Sequence, residues 1–241
     1  MVLKPVDFKP GVRYPAIVRL HGGPAYQFSH EFLFEWQMFA ARGYAVVGIN
    51  PRGSTGQGFE FARAVHGNTG DLDVKDVLRG VDFIVQQGWI DPERLGIGGR
   101  SYGSILTNYV IASDTRFKAA VSGAGSSNYI GSYGHDEYSR EYELEFGTPW
   151  KNFDAYVRVS YPFLHADGIR TPTLFYCAMK DFNVPCLGSE QMYQALRSLN
   201  VPTELILYPN QNHEMTIPGY LEDRQRRALE WYDRYLKQPG R

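Results

Sequence analysis

The sequence predicts an α/β fold in which a mostly parallel β-sheet is covered by helices on both faces. Three observations point to it. Short, nearly continuous apolar runs alternate with helical stretches whose apolar residues share one stripe, as a sheet buried on both faces requires. A serine flanked by glycines sits between one such run and the helix after it. Finally, 241 residues with 43% hydrophobic and 21% charged composition supply the core of one domain of this class, and no linker, repeat or low-complexity stretch divides residues 1–241.

The elements read off in order. Tyr14 to Leu20 is a β-branched run that ends in the turn His21-Gly22-Gly23-Pro24. Phe32 to Ala41 carries Phe32, Leu33, Trp36 and Phe39 at helical spacing and closes at Gly43. Tyr44 to Asn50 is the next strand, followed by the breaker-rich stretch Pro51 to Gly58. A helix from Asp71 to Gln87 places Val74, Val77, Leu78, Val81, Ile84 and Val85 on one stripe. Arg94 to Gly98, Phe117 to Ser122, Thr173 to Cys177 and Glu204 to Tyr208 read as four further strands, six in all, with helices at Tyr102–Ala112, Ser189–Leu199 and Leu221–Leu236. The irregular stretch Gly123 to His165, rich in Gly, Ser and Tyr, reads as a helical excursion over the sheet.

Composition removes several classes of function. With 25 Lys plus Arg against 26 Asp plus Glu, the net charge is −1, and no basic run offers a footprint for nucleic acid. Cys177 and Cys186 are too few for a disulfide scaffold or a structural zinc site. The first residues lack the apolar core of a signal peptide, and nowhere do about 18 apolar residues run together as a membrane span requires. The expectation is a cytoplasmic protein with no membrane association.

Gly99-Arg100-Ser101-Tyr102-Gly103 fits G-x-S-x-G in the strand-to-helix setting that a nucleophile elbow needs. A serine hydroxyl is a weak nucleophile at neutral pH and needs a base that a carboxylate orients. In α/β-hydrolases the chain order is Ser, then Asp or Glu, then His. Asp181, shortly after the Thr173–Cys177 strand, and His213, in the loop after Glu204–Tyr208, fill that order at one sheet edge. Asp167 is the rival acid. His165 precedes the strand leading to Asp181, and His30, His66 and His135 have no partner at ligand spacing. No H-E-x-x-H or paired C-x-x-C occurs, so neither a metal nor a cofactor is implied. The oxyanion donors would be the backbone N–H of Tyr102 and one from the His21–Pro24 turn, Gly23, with the His21 ring either a further donor or purely structural.

Taken together, His21-Gly22-Gly23-Pro24, Asn50 to Gly56, Gly99 to Gly103, Asp181 to Pro185 and Asn212-His213-Glu214 resemble the catalytic domain of the prolyl oligopeptidase family of serine peptidases, in the branch of acylaminoacyl peptidase and dipeptidyl peptidase IV. The resemblance runs from about Tyr14 to Leu236. It implies an α/β-hydrolase fold and a serine peptidase with Ser101 as nucleophile, Asp181 as orienting acid and His213 as base, the same three that the residues name unaided. It also implies that Tyr102, Asn128, Tyr129, Ile130 and Tyr133 line the pocket for the residue on the acyl side of the scissile bond, although Tyr129 and Tyr133 read equally well as amphipathic cover for the sheet. Arg52 reads as a carboxylate clamp or, more plainly, as an ion-pair partner.

Two departures from the family pattern stand out. Ser104 replaces a second glycine after the elbow, and the N-terminal β-propeller of the family is absent from these 241 residues. Against a complete fold of eight strands, the six counted here leave the first two missing, before Val2 to Phe8. An unpaired sheet edge would then invite a homo-oligomer. The expected substrate is a peptide or a small ester, with small activated esters cleaved more readily than long peptides. A free-standing carboxylesterase with the same triad is the alternative. A non-catalytic hydrolase-fold binding module is the third reading, which intact Ser101, Asp181 and His213 oppose.

Overall fold

The apolar runs form one seven-stranded sheet in the computed structural model, which describes residues 1–237. Strands β1 (Val2–Leu3), β2 (Tyr14–Leu20), β3 (Ala45–Gly48), β4 (Ile90–Arg100), β5 (Ala119–Gly123), β6 (Thr173–Ala178) and β7 (Thr203–Tyr208) lie in the order β1-β3-β2-β4-β5-β6-β7. Every neighbouring pair is parallel except β1 with β3. The count of six strands is therefore corrected to seven. β1 pairs through only Val2 with Val47 and Leu3 with Val46, and two residues are too few to show a period of two.

Helices α1 (Phe34–Ala41), α2 (Phe59–Arg63), α3 (Leu72–Gln86), α4 (Tyr102–Ser113), α5 (Tyr129–Ser132), α6 (Ser139–Phe146), α7 (Phe153–Val159), α8 (Tyr161–Leu164), α9 (Cys186–Ser198) and α10 (Pro218–Leu236) complete the fold. Alternation along β2 shows how they divide. Ala16, Val18 and Leu20 face one core, shared with Val77 and Val81 of α3, Leu106 of α4 and Met192 of α9. Ile17 faces the other, shared with Phe39 of α1 and with Trp231 and Tyr232 of α10. Both faces are dry, which is why the strands read as unbroken apolar runs. The central helix α4 is buried all round, from Tyr102 to Ile111, so it shows no amphipathic stripe.

The excursion after β5 becomes α5 to α8, a third and smaller cluster in which Tyr129, Phe146, Ala155, Tyr156 and Val159 pack together. Among the described residues no helix is long and apolar enough to cross a membrane.

Candidate active site

β4 ends at Arg100 and α4 begins at Tyr102, so Ser101 alone makes the turn, at φ 58° and ψ −128°. A side chain avoids this region unless its surroundings enforce it. Here the Ser101 N–H donates to the Gly123 carbonyl of β5 at 2.9 Å, and the Ser101 carbonyl accepts from Ser104 and Ile105 at 2.8 and 3.0 Å. The flanking glycines are required by contact: a Cβ on Gly99 would lie 2.5 Å from the Gly103 carbonyl, and one on Gly103 only 2.2 Å from the Leu20 carbonyl oxygen. Ser104, where a second glycine was expected, is fully buried, and its hydroxyl has no partner among the described residues.

The turn after β2 lies against the serine. A Cβ on Gly22 would sit 3.5 Å from the Ser101 Cβ. The next residue, Gly23, has φ 127°, where a side chain would collide with the Ala25 nitrogen. Neither the Gly23 N–H nor the Tyr102 N–H donates to another group among the described residues. The His21 ring has a different task. Its Nδ1–H donates to the Gly22 carbonyl at 2.7 Å, its Nε2 accepts from the Ser54 hydroxyl at 2.9 Å, and burial lowers its pKa so that the ring stays neutral near pH 7. Both ring nitrogens are engaged in holding the turn, which decides between the two roles left open for His21.

Asp181 follows β6 with its side chain wholly buried. Oδ1 accepts from the Asn183 and Val184 N–H groups at 3.0 and 2.8 Å, while Oδ2 accepts from His213 Nδ1 at 2.6 Å. The two cysteines, whose pairing nothing in the sequence indicated, form a disulfide from the end of β6 to the start of α9, closing the loop that carries Asp181. The Lys180 N–H donates to the Gln211 carbonyl at 2.9 Å and ties this loop to the one bearing His213. A 3.5 Å contact from Arg100 to Glu214 joins the residue before the serine to the residue after the histidine. Ser101 makes no hydrogen bond to the His213 ring among the described residues; in ligand-free triads that leg is often long and closes on substrate. The rivals make no hydrogen bond to Ser101 among the described residues: Asp167 is exposed in a short 3₁₀ turn, His165 is exposed against the Tyr161 ring, and His30, His66 and His135 are exposed.

Beside the elbow opens a cavity of about 550 Å³. Gly23, Tyr102, Ile105, Tyr129, Tyr142 and Phe146 wall it, Arg63, Glu141 and Glu145 supply its charged groups, and His66 also lines it. Of the five residues expected there, Tyr102 and Tyr129 line it and three do not. Asn128 caps α5 by accepting from the Gly131 N–H, Ile130 packs in the third core cluster, and Tyr133 donates to Glu143 at 2.6 Å. A four-residue helix shows the cavity only one face, which explains the split. The residues missed had a legible signal: Tyr138, Tyr142 and Phe146 recur every four positions, one face of a helix, and all three line the cavity.

Tyr102 is held from below. Its hydroxyl donates to Asp73 Oδ2 at 2.6 Å, and Asp73, fully buried at the start of α3, also accepts from the Gly70 and Val74 N–H groups. Burial raises the Asp73 pKa, against the pull of these hydrogen bonds. Arg52 is an ion-pair partner: Nε and Nη2 donate to the two oxygens of Asp76 at 2.7 and 2.6 Å.

Comparison with known proteins gives this geometry its relatives. A Bacillus subtilis (strain 168) protein, the uncharacterized peptidase YuxL, is 35% identical over 245 residues, covering 98% of this chain and 36% of that protein. The acylaminoacyl peptidase of Pyrococcus horikoshii superposes with a TM-score of 0.90 at 30% identity, over 100% of this chain and 40% of its own. An acylaminoacyl peptidase in complex with Z-Gly-Gly-Phe-chloromethyl ketone superposes with a TM-score of 0.92 at 30% identity and the same coverage. The chain thus spans 36–40% of the length of these relatives, and its sheet and helices are those of an α/β-hydrolase-like fold. Residues 30–239 match the model of the prolyl oligopeptidase family, and the chain belongs to that family.

Proposed function

We propose that the chain is a serine peptidase domain cleaving peptide or acyl-aminoacyl bonds through an acyl-enzyme on Ser101. The observation that carries this is the 2.6 Å bond from His213 Nδ1 to the buried Asp181 carboxylate, at the same sheet edge as the strained Ser101 turn. That bond leaves His213 Nε2 as the free acceptor, so the ring takes the Ser101 proton as the hydroxyl attacks and returns it to the leaving nitrogen. The N–H groups of Gly23 and Tyr102 are the donors for the oxyanion, and each is worth roughly 3–4 kcal/mol in the transition state. Water then hydrolyses the ester by the same base.

For the acyl side, the aromatic walls around about 550 Å³ favour a large apolar side chain. The neighbour holding Z-Gly-Gly-Phe-chloromethyl ketone supports that choice, because the phenylalanine in that inhibitor bears the reactive ketone. Two finer proposals accompany the reading. β7 ends the sheet, and its outer edge supports self-association, which sedimentation would measure. The Cys177–Cys186 disulfide supports an oxidising compartment over the cytoplasmic location first expected.

The test is Ser101→Ala. It should lower kcat on a benzyloxycarbonyl-phenylalanyl ester by about 10⁶-fold, as loss of one member of a concerted triad does. A fluorophosphonate probe should label the wild type on Ser101 and leave the variant unlabelled. A wild type that resists the probe while folded removes the reading.

A further inference from the structure

A second cavity touches the same two turns, one residue earlier on the first and two earlier on the second. The acyl-side cavity meets Gly23 and Tyr102, whereas this one, of about 290 Å³, meets Gly22 and Arg100. Its walls include Phe28, Leu33 and Trp36. Ser101 lies in the chain between Arg100, which lines this cavity, and Tyr102, which lines the other, and a Cβ on Gly22 would sit 3.5 Å from its Cβ.

Direction follows from the proton. A leaving nitrogen must sit beside His213 to be protonated, so the leaving group lies on the histidine side of the serine. Arg100 is on that side, because its Nη1 contacts Glu214, the residue after His213. The second cavity is therefore the one next to the departing half of the substrate.

Charge selects what that half carries. Two arginines line the cavity. Arg19 is neutralised by Glu35 at 2.6 Å. Arg100 has only the 3.5 Å contact with Glu214, a carboxylate 84% exposed, and its Nη2 is buried with no acceptor among the described residues. The single histidine there, His21, is kept neutral by burial. The cavity thus holds one guanidinium with a single long contact to an exposed carboxylate, its side chain 24% exposed, and such a group gains from a ligand that supplies closer acceptors. An oxygen pair in a plane is the natural match for that fork.

We propose that this cavity is a leaving-group subsite in which Arg100 binds the free C-terminal carboxylate of a short apolar leaving peptide, making the domain selective for bonds close to a substrate's C-terminal end. The assignment rests on the peptidase reading above. The aromatic walls would take the apolar side chain while the guanidinium takes the carboxylate, so the substrate is an N-blocked short peptide with a large apolar residue on each side of the scissile bond.

The test uses two substrates that differ only at the end: benzyloxycarbonyl-Gly-Phe-Leu and its C-terminal amide. In wild type, kcat/KM should be about tenfold higher for the acid, the discrimination that a charge-assisted hydrogen bond supplies. Arg100→Gln should bring the acid-to-amide ratio to about one, and Arg100→Lys should keep part of the preference because it keeps the charge. The ratio is read within each protein, so a general loss of turnover does not imitate the effect, and the wild-type and Arg100→Lys ratios still decide if Arg100→Gln misfolds. Equal rates on acid and amide in a wild type that the fluorophosphonate labels overturn this subsite alone. Failure of that labelling overturns the peptidase reading first.

Discussion

The elbow and the excursion over it meet at the same cavity but are held in place by different forces. At the elbow, backbone sits on backbone: Gly99 against Gly103, Gly103 against Leu20, and the Ser101 N–H on Gly123. In the excursion, side chains sit on side chains: the Tyr129 ring meets Tyr142 at 5.4 Å and Phe146 at 6.0 Å, and Phe146 meets Tyr156 at 5.8 Å. The first kind of contact tolerates one residue type at each point, whereas the second tolerates many. The chemistry proposed above draws on the elbow and the acyl-side selectivity proposed above on the excursion, and variants in each should separate the two.

The largest effect is expected at Gly103. An added Cβ would lie 2.2 Å from the Leu20 oxygen and 2.8 Å from the His21 oxygen, both backbone atoms that cannot rotate away. Gly103→Ala must lift α4 from β2, and so carry Ser101 away from Gly23. We expect more than about 4 kcal/mol of destabilisation by urea unfolding, in the range reserved for a named structural clash. A variant that unfolds at the wild-type midpoint would show that the elbow has slack.

The same contrast explains what could be read from the sequence. The motif around Ser101, and the chain order that names Asp181 and His213, were legible because each position is fixed by a local turn with few permitted residues. The strands were legible because both sheet faces are dry, and their ends moved where apolar spacing says little: β4 runs from Ile90, not Arg94, through Asp91, Pro92 and Glu93. β1 was not legible because its two residues form a strand only by finding Val46 and Val47. The pocket was half legible, since Tyr102 is placed by the elbow, whereas Ile130 and Tyr133 turn away on packing that no local rule encodes. The Cys177–Cys186 bond, though it joins residues nine apart, had no signature in a pair of cysteines alone, and the contact of Arg100 with Glu214 depends on a neighbour 114 residues away.

A smaller effect, and one confined to the excursion, is expected at Tyr156. The ring is fully buried in the third cluster and its hydroxyl donates to the Gly147 carbonyl at 2.8 Å. Tyr156→Ala should cost about 3–5 kcal/mol, as removal of a buried aromatic ring does. Because the aromatic rings it meets, Tyr133 and Phe146, both belong to the excursion, the variant should still turn over an acetyl ester while losing its preference for a phenylalanyl over an acetyl ester. Equal loss on both esters would tie the excursion to the chemistry and erase the distinction.

The smallest effect concerns the joint between the two regions, Asp73 beneath Tyr102. Burial holds the Asp73 pKa above its ordinary value of 3.8, so the folded protein binds this proton more tightly than the unfolded chain does. Protonation of Asp73 therefore adds stability that is fully present below 3.8 and is lost as the pH rises through the raised folded value. Other carboxylates titrate in the same range, several in the opposite direction: Asp76 and Asp223, for example, are both lowered. The difference between wild type and Asp73→Asn isolates the one group. That difference should fall, with wild type losing ground, between acidic and neutral pH, as followed by thermal melting of both proteins. Asn retains an acceptor for the Tyr102 hydroxyl, so activity on a phenylalanyl ester should drop by only about fivefold, the worth of exchanging a charged acceptor for a neutral one. A pH-independent difference would mean that Asp73 keeps its ordinary pKa and that the joint holds Tyr102 without the strain of a buried charge.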